Sequence, residues 1–157
     1  CIPDSVLIQS QSFNMTPETF FKFANGLAMM GWIILIFLPR YRSDKLILGI
    51  FVTLLSIVYT YLVFTEFTFA DLKGFGSLPG VMTLFQNPGV LLAGWVHYLA
   101  FDLMVGLWIK NNAIKHRINH WYIVPCLFFT FLLGPVGLLL YLVIRIFVTR
   151  KYFPENF

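Results

Sequence analysis

The stretch FANGLAMMGWIILIFL, from Phe23 to Leu38, determines the fold class because it contains no charged side chain. A helix rises about 1.5 Å per residue, so an apolar run of about 20 residues crosses a hydrocarbon core of roughly 30 Å. The tripeptide Thr16-Pro17-Glu18 precedes this run as an N-cap, a proline at the first helical position and an acid near the positive helix end. The sequence therefore predicts a membrane-spanning helix over 18–38.

Three further apolar segments have the length of a membrane crossing, and they predict helices over about 46–66, 88–109 and 121–148. The last is longer than a straight crossing needs, so we expect a tilt or a kink at Gly134-Pro135. The connection over 67–87 mixes turn residues with apolar ones and predicts a short interfacial helix. The predicted fold is all-α, a four-helix transmembrane bundle with an interfacial helix between helices 2 and 3. It forms a single transmembrane domain over 15–157.

The composition of the whole chain agrees with this fold class. The 157 residues are 59% hydrophobic and 11% charged, whereas soluble domains are about 45–50% apolar and about 25% charged. The basic residues collect at the ends of the apolar runs, where membrane flanks belong, so the predicted partner is the lipid bilayer and not nucleic acid. Two cysteines do not make a disulfide framework for a chain of this size.

The flanking charges and the N-terminal segment give weaker expectations. The loops after the first and third predicted helices hold six basic residues and the opposite side holds five. Two of those five, Lys22 and Arg145, lie inside predicted spans, which favours both termini outside the membrane. Residues 1–14 are predicted to be a poorly ordered extension, and a lipid-modified Cys1 is one hypothesis for them.

Asp102 and His97 are the most informative polar residues inside the spans. A carboxyl group deep in a membrane helix costs about 2.5–3.5 kcal/mol to insert, so intramembrane acids usually have a function. The two residues are five apart, which places them about 140° from each other around the helix. Asp102 shares a face with Trp95 and Tyr98, and its alternative role is to accept hydrogen bonds from these residues or from Arg145. His97 is either a buried donor or an acid or base.

Small and hydroxyl residues form one stripe on each of the other predicted helices. Such residues allow close helix approach and hydrogen bonds across the contact, so we expect these stripes to pack inside the bundle. They comprise Asn25, Ala28 and Trp32 on helix 1; Gly49, Thr53, Ser56 and Thr60 on helix 2; and Cys126, Thr130, Gly134, Gly137, Tyr141 and Arg145 on helix 4.

Several classes of enzyme are excluded by their motifs. The chain has no phosphate-binding loop, no dinucleotide-binding glycine pattern and no zinc-binding HExxH sequence. His116 and His120 are four residues apart, but they lie in a basic loop, which favours a surface that faces lipid headgroups over a metal site. No metal and no cofactor is predicted.

Several motifs resemble those of the abscisic-acid-deficient-four-like membrane protein family. The resemblance covers most of the chain after Met15, and its most specific block is GWVHYLAFDLMVG. The matching stretches are Met15-Thr-Pro-Glu-Thr, Gly31-Trp32, Gly76-Ser77-Leu78, Leu84-Phe85, Gly94–Gly106 and the closing PCLFFTFLLGPVGLLLYLVIR from Pro125 to Arg145.

This resemblance implies a four-helix membrane protein with a link to carotenoids. Plant relatives are required in plastids to convert violaxanthin to neoxanthin, an isomerisation that opens an epoxide while a nearby carbon loses a proton. Such a step needs an acid and a base but no redox cofactor, and His97 and Asp102 are the candidates here. The chain lacks a transit peptide, so we expect a mature or bacterial form in a cytoplasmic membrane. The expected substrate-binding residues are Trp95, Tyr98, Trp32, Asn25 and Arg145.

Two non-enzymatic functions stay open beside a cofactor-independent carotenoid isomerase. The protein either binds and holds a carotenoid or lipid, or it is an accessory subunit of a larger membrane complex. The aromatic content of 18% suits contact with lipid or polyene. A proton or ion path through Asp102 ranks last, because no chain of ionisable groups continues from it.

Overall fold

A computed structural model describes residues 16–38, 44–69 and 71–150, and every regular element in this part of the chain is helical. The predicted extension over 1–14 lies outside the described residues. The helices are α1 Pro17–Phe37, α2 Asp44–Glu66, a 3₁₀ helix Asp71–Gly76, α3 Leu78–Leu84, α4 Pro88–Lys115, α5 His120–Leu133 and α6 Pro135–Thr149.

The first and third predicted helices begin where their sequence signals place them. Thr16 caps α1 by accepting a hydrogen bond from the Thr19 N–H at 3.4 Å, and Asn87 caps α4 by accepting one from the Gly89 N–H at 2.8 Å. Pro17 and Pro88 follow these caps, where the missing proline N–H costs least. By length and apolar composition α1, α2 and α4 are each able to cross a membrane.

Helix α4 lies at the centre of the structure and packs against α1, α2, α5 and α6. Glycines permit its closest contacts with α1. A Cβ atom on Gly106 would lie 2.8 Å from the Trp32 ring, and one on Gly31 would lie 2.8 Å from the Leu103 side chain. Antiparallel α2 covers a second side of α4, and its end at Glu66 contacts Gly89 at the start of α4. The core therefore forms around α4.

The predicted single helix over 121–148 is wrong, because the chain forms two helices that meet at Gly134. Gly134 has φ +50° and ψ −99°, a conformation that side chains disfavour and glycine permits. Pro135 follows, and since it has no N–H it does not continue the hydrogen-bond ladder of α5. The kink expected at Gly134-Pro135 is therefore at the correct position, but the helix ends there instead of only bending.

Beyond Gly134 the chain reverses, so that α5 and α6 form an antiparallel hairpin. Gly137 contacts the backbone of Thr130 and of Cys126, although residues seven apart in a straight helix are separated by about 10 Å. The hairpin tip at Gly134 lies beside Asp102, in the middle of α4. Helix α6 then returns to the end of α4, where the Tyr141 hydroxyl donates to Asn112 Oδ1 at 2.7 Å. The hairpin therefore follows only the C-terminal half of α4.

The expectation that the small-residue stripe of α2 packs inside the bundle is also wrong. Its three hydroxyl residues Thr53, Ser56 and Thr60 are exposed, and each hydroxyl donates to a carbonyl of its own helix at 2.8 Å. The side of α2 that packs against the core is marked instead by leucines at seven-residue spacing, Leu48, Leu55 and Leu62. Leucines bury more apolar area than threonine or serine, and the local hydrogen bonds let the hydroxyls face outward.

The connection between α2 and α4 contains the predicted short helix. Ser77 caps α3 by accepting a hydrogen bond from the Gly80 N–H at 3.2 Å, and the 3₁₀ helix precedes it. The N–H and hydroxyl of Thr68 donate to the Asp71 carboxylate at 2.8 and 2.7 Å. These hydrogen bonds lower the pKa of Asp71 below its ordinary value. The location of α3 at a membrane interface stays a prediction.

We expect the substitution Gly137→Ala to destabilise the hairpin by about 1–3 kcal/mol, because the new methyl group would overlap the backbone of α5. Gly26→Ala is the matched control, since nothing lies within 4 Å of a Cβ atom at that helical position. It should be neutral or stabilise α1 by up to about 1 kcal/mol. Thermal unfolding of both variants in the same detergent tests this, and equal melting temperatures would contradict the hairpin contact.

Candidate functional site

Asp102 lies at the middle of α4 and faces the tip of the hairpin. Its side chain is 9% exposed, and a Cβ atom on Gly134 would lie 2.9 Å from Oδ1. Atom Oδ2 is buried and forms no hydrogen bond within the described part of the chain. A buried carboxyl oxygen without a hydrogen-bond partner is costly, which marks this position as a candidate site.

A series of contacts links Asp102 to α1 and to the hairpin. The Tyr98 hydroxyl interacts with the Asp102 carboxyl group and donates to the Phe131 carbonyl at 3.1 Å. The rings of Tyr98 and Trp95 have centroids 5.6 Å apart. The Trp95 indole N–H in turn donates to Asn25 Oδ1 at 3.1 Å. Four of the predicted site residues are therefore neighbours on one side of α4.

Trp32 lies on the same side of the molecule. It is buried between α4 and α5, where its ring contacts Gly106 and has its centroid 5.5 Å from that of Phe131. Because Phe131 also accepts the Tyr98 hydrogen bond, Trp32 is connected to Asp102 through this one residue of the hairpin.

His97 lies on a different side of α4 and does not meet Asp102. Its ring is exposed, stacks on Phe101 with centroids 4.5 Å apart and lies 5.2 Å from the Tyr59 ring. This placement agrees with the angle of about 140° that the five-residue spacing gives. The two predicted catalytic residues therefore lack the shared geometry of an acid and a base that act on one ligand.

Arg145 is also remote from the carboxylate. It is buried, but it lies eleven residues beyond Gly134, about 16 Å along α6. Its side chain is at the end of the molecule where Tyr141 meets Asn112. A direct interaction of Arg145 with Asp102 is therefore not part of this site.

A polar cluster at the C-terminal end of α4 was not predicted from the sequence. Lys110 is 1% exposed, and its ammonium group donates to the Leu38 carbonyl at 2.6 Å. His120 Nε2 lies 2.8 Å from the Ile36 carbonyl. Both groups therefore hydrogen-bond to the last carbonyls of α1, which lack partners in their own helix. The third predicted helix ends at about 109, so the sequence places Lys110 in the loop that follows, whereas α4 continues to Lys115.

Within the described residues, no three His, Cys, Asp or Glu side chains come together to hold a metal ion. His120 bonds a backbone carbonyl, and Cys126 is buried, with Sγ 3.8 Å from the Tyr122 carbonyl. The polar groups that the site contains are the carboxyl group of Asp102, the phenol of Tyr98 and the indole of Trp95.

Two apolar grooves follow α1. The first, between α1 and α5, has a volume of about 460 Å³ and no polar lining atoms; the second, between α1 and the start of α4, has a volume of about 440 Å³. We call them the α1–α5 groove and the α1–α4 groove. The α1–α5 groove is lined by Met29, Trp32, Ile33, Ile36, Phe37, Val124, Pro125, Phe128 and Phe131, and the α1–α4 groove by Pro17, Glu18, Phe21, Pro88, Leu91, Leu92 and Trp95.

The three long apolar helices, the buried carboxyl group and the apolar grooves fit a small helical membrane protein. A family model described as ABA DEFICIENT 4-like matches residues 19–141, so the chain belongs to this family. The match includes α1 from Thr19 onward, α2, α4, α5 and the start of α6, and with them Asp102, His97 and the whole α1–α5 groove. Comparison with curated proteins and with solved structures gave no match.

We expect His97 and Asp102 to contribute independently to stability, because they do not contact each other. In a double-mutant cycle of His97→Ala and Asp102→Asn, the effects on the free energy of unfolding should add within about 0.5 kcal/mol. A cycle of Asn25→Ala and Trp95→Phe is the positive control, and its hydrogen bond should give a coupling of about 0.5–1.5 kcal/mol. Strong coupling in the first cycle would contradict their separation.

Proposed function

We propose that this protein binds a rod-shaped polyene of the carotenoid class along α1. The observation that supports this most directly is the succession of the two grooves on one side of a single helix. Phe21, Asn25, Trp32 and Ile36 are spaced by four, seven and four residues and share a face of α1. From Pro17 to Phe37 this path is about 30 Å long, close to the thickness of the hydrocarbon core.

The chemistry of the path suits such a ligand. A carotenoid is a rigid, apolar rod whose length approaches that of a membrane crossing, and a rigid ligand loses little conformational entropy on binding. Trp32 contributes its aromatic ring to the α1–α5 groove, and Trp95 contributes its ring to the α1–α4 groove. Membership of the ABA DEFICIENT 4-like family supports the choice of ligand class, because the resemblance of the sequence to this family implies a link to carotenoids.

Binding without catalysis is the form of the proposal that the geometry favours. An epoxide-opening isomerisation needs an acid and a base at one ligand, and His97 lies away from the side of α4 that meets the grooves. Asp102 and Tyr98 lie behind Phe131, at the midpoint of the path. Their proposed role is to hold the hairpin tip against α4 and thereby to shape the α1–α5 groove.

One observation favours a second function, that of an accessory subunit of a larger membrane complex. The exposed face of α2 carries Gly49, Thr53, Ser56 and Thr60, and small and hydroxyl residues are typical of contacts between membrane helices. A protein that purifies without pigment but with a stoichiometric membrane partner would favour this function over polyene binding.

We expect Met29→Trp to reduce the amount of bound polyene by at least about tenfold. The tryptophan ring is larger than the methionine side chain and would fill the α1–α5 groove at its midpoint. Met30→Trp is the matched control, since Met30 is the next residue, is equally exposed and lines neither groove. Both variants would be purified from a carotenoid-producing membrane, and the visible carotenoid absorption measured per protein. Equal pigment content in the two variants would contradict the groove as the binding path.

We also propose an orientation, in which α1, α2 and α4 cross the membrane and the α5–α6 hairpin enters and leaves on one side. The start of α1 and the connection between α2 and α4 then share one side, which has two basic residues, Lys22 and Lys73. The other basic residues in the described part of the chain lie on the opposite side, with the end of α6, and this asymmetry supports taking that side as the inner one. They are Lys45, Lys110, Lys115, Arg117, Arg145 and Arg150. The proposal replaces the expectation of both termini outside.

Labelling from one side of sealed vesicles tests this orientation. In a variant without Cys1 and Cys126, single cysteines would replace Ser77, Arg117 and Arg150, which are all exposed. We expect a membrane-impermeant maleimide to reach Arg117→Cys and Arg150→Cys from the same side and Ser77→Cys from the other. Labelling of Ser77→Cys and Arg150→Cys from one side would indicate four crossings and contradict the proposal.

A further inference from the structure

A cavity of about 520 Å³ lies between the end of α4 and the start of α5, apart from the proposed polyene path. In contrast to the two grooves, it combines charged, polar and apolar lining groups. Arg117, Asn119 and His120 contribute polar atoms, and Ile114, Trp121 and Ile123 contribute apolar ones. A cavity of this composition suits an amphipathic ligand better than a hydrocarbon.

Arg117 occupies a backbone position that ordinarily favours glycine. It has φ +57°, its N–H donates to the Ile114 carbonyl at 3.1 Å, and the Ile118 N–H donates to the Ala113 carbonyl at 2.9 Å. These hydrogen bonds form a Schellman motif at the end of α4, with Arg117 as the left-handed residue. A side chain costs about 1 kcal/mol or more in this conformation. The backbone therefore does not explain the arginine, since glycine would adopt this conformation at lower cost.

The charge around the cavity favours an anion. None of its lining residues is acidic, and Arg117 forms no ion pair with a described residue. Among the acidic residues of the described helices, Glu18, Glu66 and Asp71 belong to the opposite end of the molecule and Asp102 is at its middle. Asp44 begins α2 at the same end as the cavity but is not one of the described residues that line it. A guanidinium group that is not paired with a carboxylate is available to bind phosphate. It does so through two parallel hydrogen bonds, which add to the attraction between the charges.

The surroundings of the cavity are those of a membrane interface. Trp121 is 76% exposed and Tyr122 is 66% exposed, and both lie in the first turn of α5. Tryptophan and tyrosine concentrate at the depth of lipid headgroups, where one end of the ring is apolar and the other is hydrated. The buried side chains of Ile118 and Ile123 provide an apolar wall at the same place.

We propose that this cavity binds the headgroup of an anionic phospholipid. The Arg117 guanidinium donates to the phosphate, and Trp121, Ile118 and Ile123 contact the glycerol and the first carbons of the acyl chains. Phosphate and apolar carbon are both required, so a phospholipid fits better than a free anion. The inference goes beyond polyene binding, and each of the two sites can exist without the other.

The substitution Arg117→Gly tests this site without weakening the fold. Glycine adopts the left-handed conformation at lower cost, so the variant should be at least as stable as the original protein. We expect it to lose about tenfold in affinity for dioleoyl phosphatidylglycerol. Arg150→Gly is the matched control, because Arg150 is also a left-handed arginine, with φ +55°, at the end of α6 and outside the cavity. It should retain the lipid.

Native mass spectrometry of the detergent-solubilised protein measures lipid retention after addition of phosphatidylglycerol or phosphatidylcholine, beside melting temperatures for both variants. Preferential retention of phosphatidylglycerol, lost only in Arg117→Gly, supports the proposal. Equal loss in both variants would indicate a diffuse basic surface and overturn it, as would full retention in Arg117→Gly. Calorimetry with inorganic phosphate separates the two sources of anion, since tighter binding of free phosphate than of lipid would also overturn it.

Discussion

The contact between the middle of α4 and the chain reversal at Gly134 is the constraint on which the rest of the structure depends. Gly134 provides a backbone conformation that a side chain disfavours, and Asp102 leaves room beside it only for a glycine. If the chain continued straight through this point, α6 would leave the bundle instead of returning along α4. The buried contacts of Gly137 and Tyr141 with α5 and α4 exist because the reversal is here.

Most polar side chains in the interior form hydrogen bonds with backbone carbonyls near helix ends or with a hydroxyl group. Lys110 and His120 hydrogen-bond the last carbonyls of α1, and Tyr98 bonds a carbonyl near the end of α5. In a membrane such free carbonyls are expensive because no water reaches them. Lys110, His120 and Tyr98 are of residue types that often act in catalysis, but here they stabilise helix ends. Asp102 differs from these side chains, because its Oδ2 accepts no hydrogen bond within the described residues.

Much of the fold could be predicted from the sequence, because apolar length and capping residues are local signals. Thr16-Pro17 and Asn87-Pro88 locate the starts of α1 and α4, and the separation of His97 from Asp102 follows from helical periodicity. The hairpin could not be predicted in the same way, since an apolar run of 28 residues with a Gly-Pro step fits a kinked crossing as well as a reversal. The direction of the α2 stripe was missed for a related reason, because serine and threonine serve equally at a helix contact and as self-bonded outward residues.

The half-length hairpin also gives the molecule a taper. At the end of the molecule that holds the ends of α4 and α6, five helices share the cross-section, while beyond Gly134 only α1, α2 and α4 remain. Each helix with its side chains is about 10 Å wide, so in the proposed orientation the two leaflets would accommodate unequal areas of protein. Lipids of the leaflet that contains three helices would fill the space beyond the hairpin tip. In that orientation a protein of this shape would act as a wedge, and we expect its distribution between flat and curved membranes to depend on which leaflet contains the wider end.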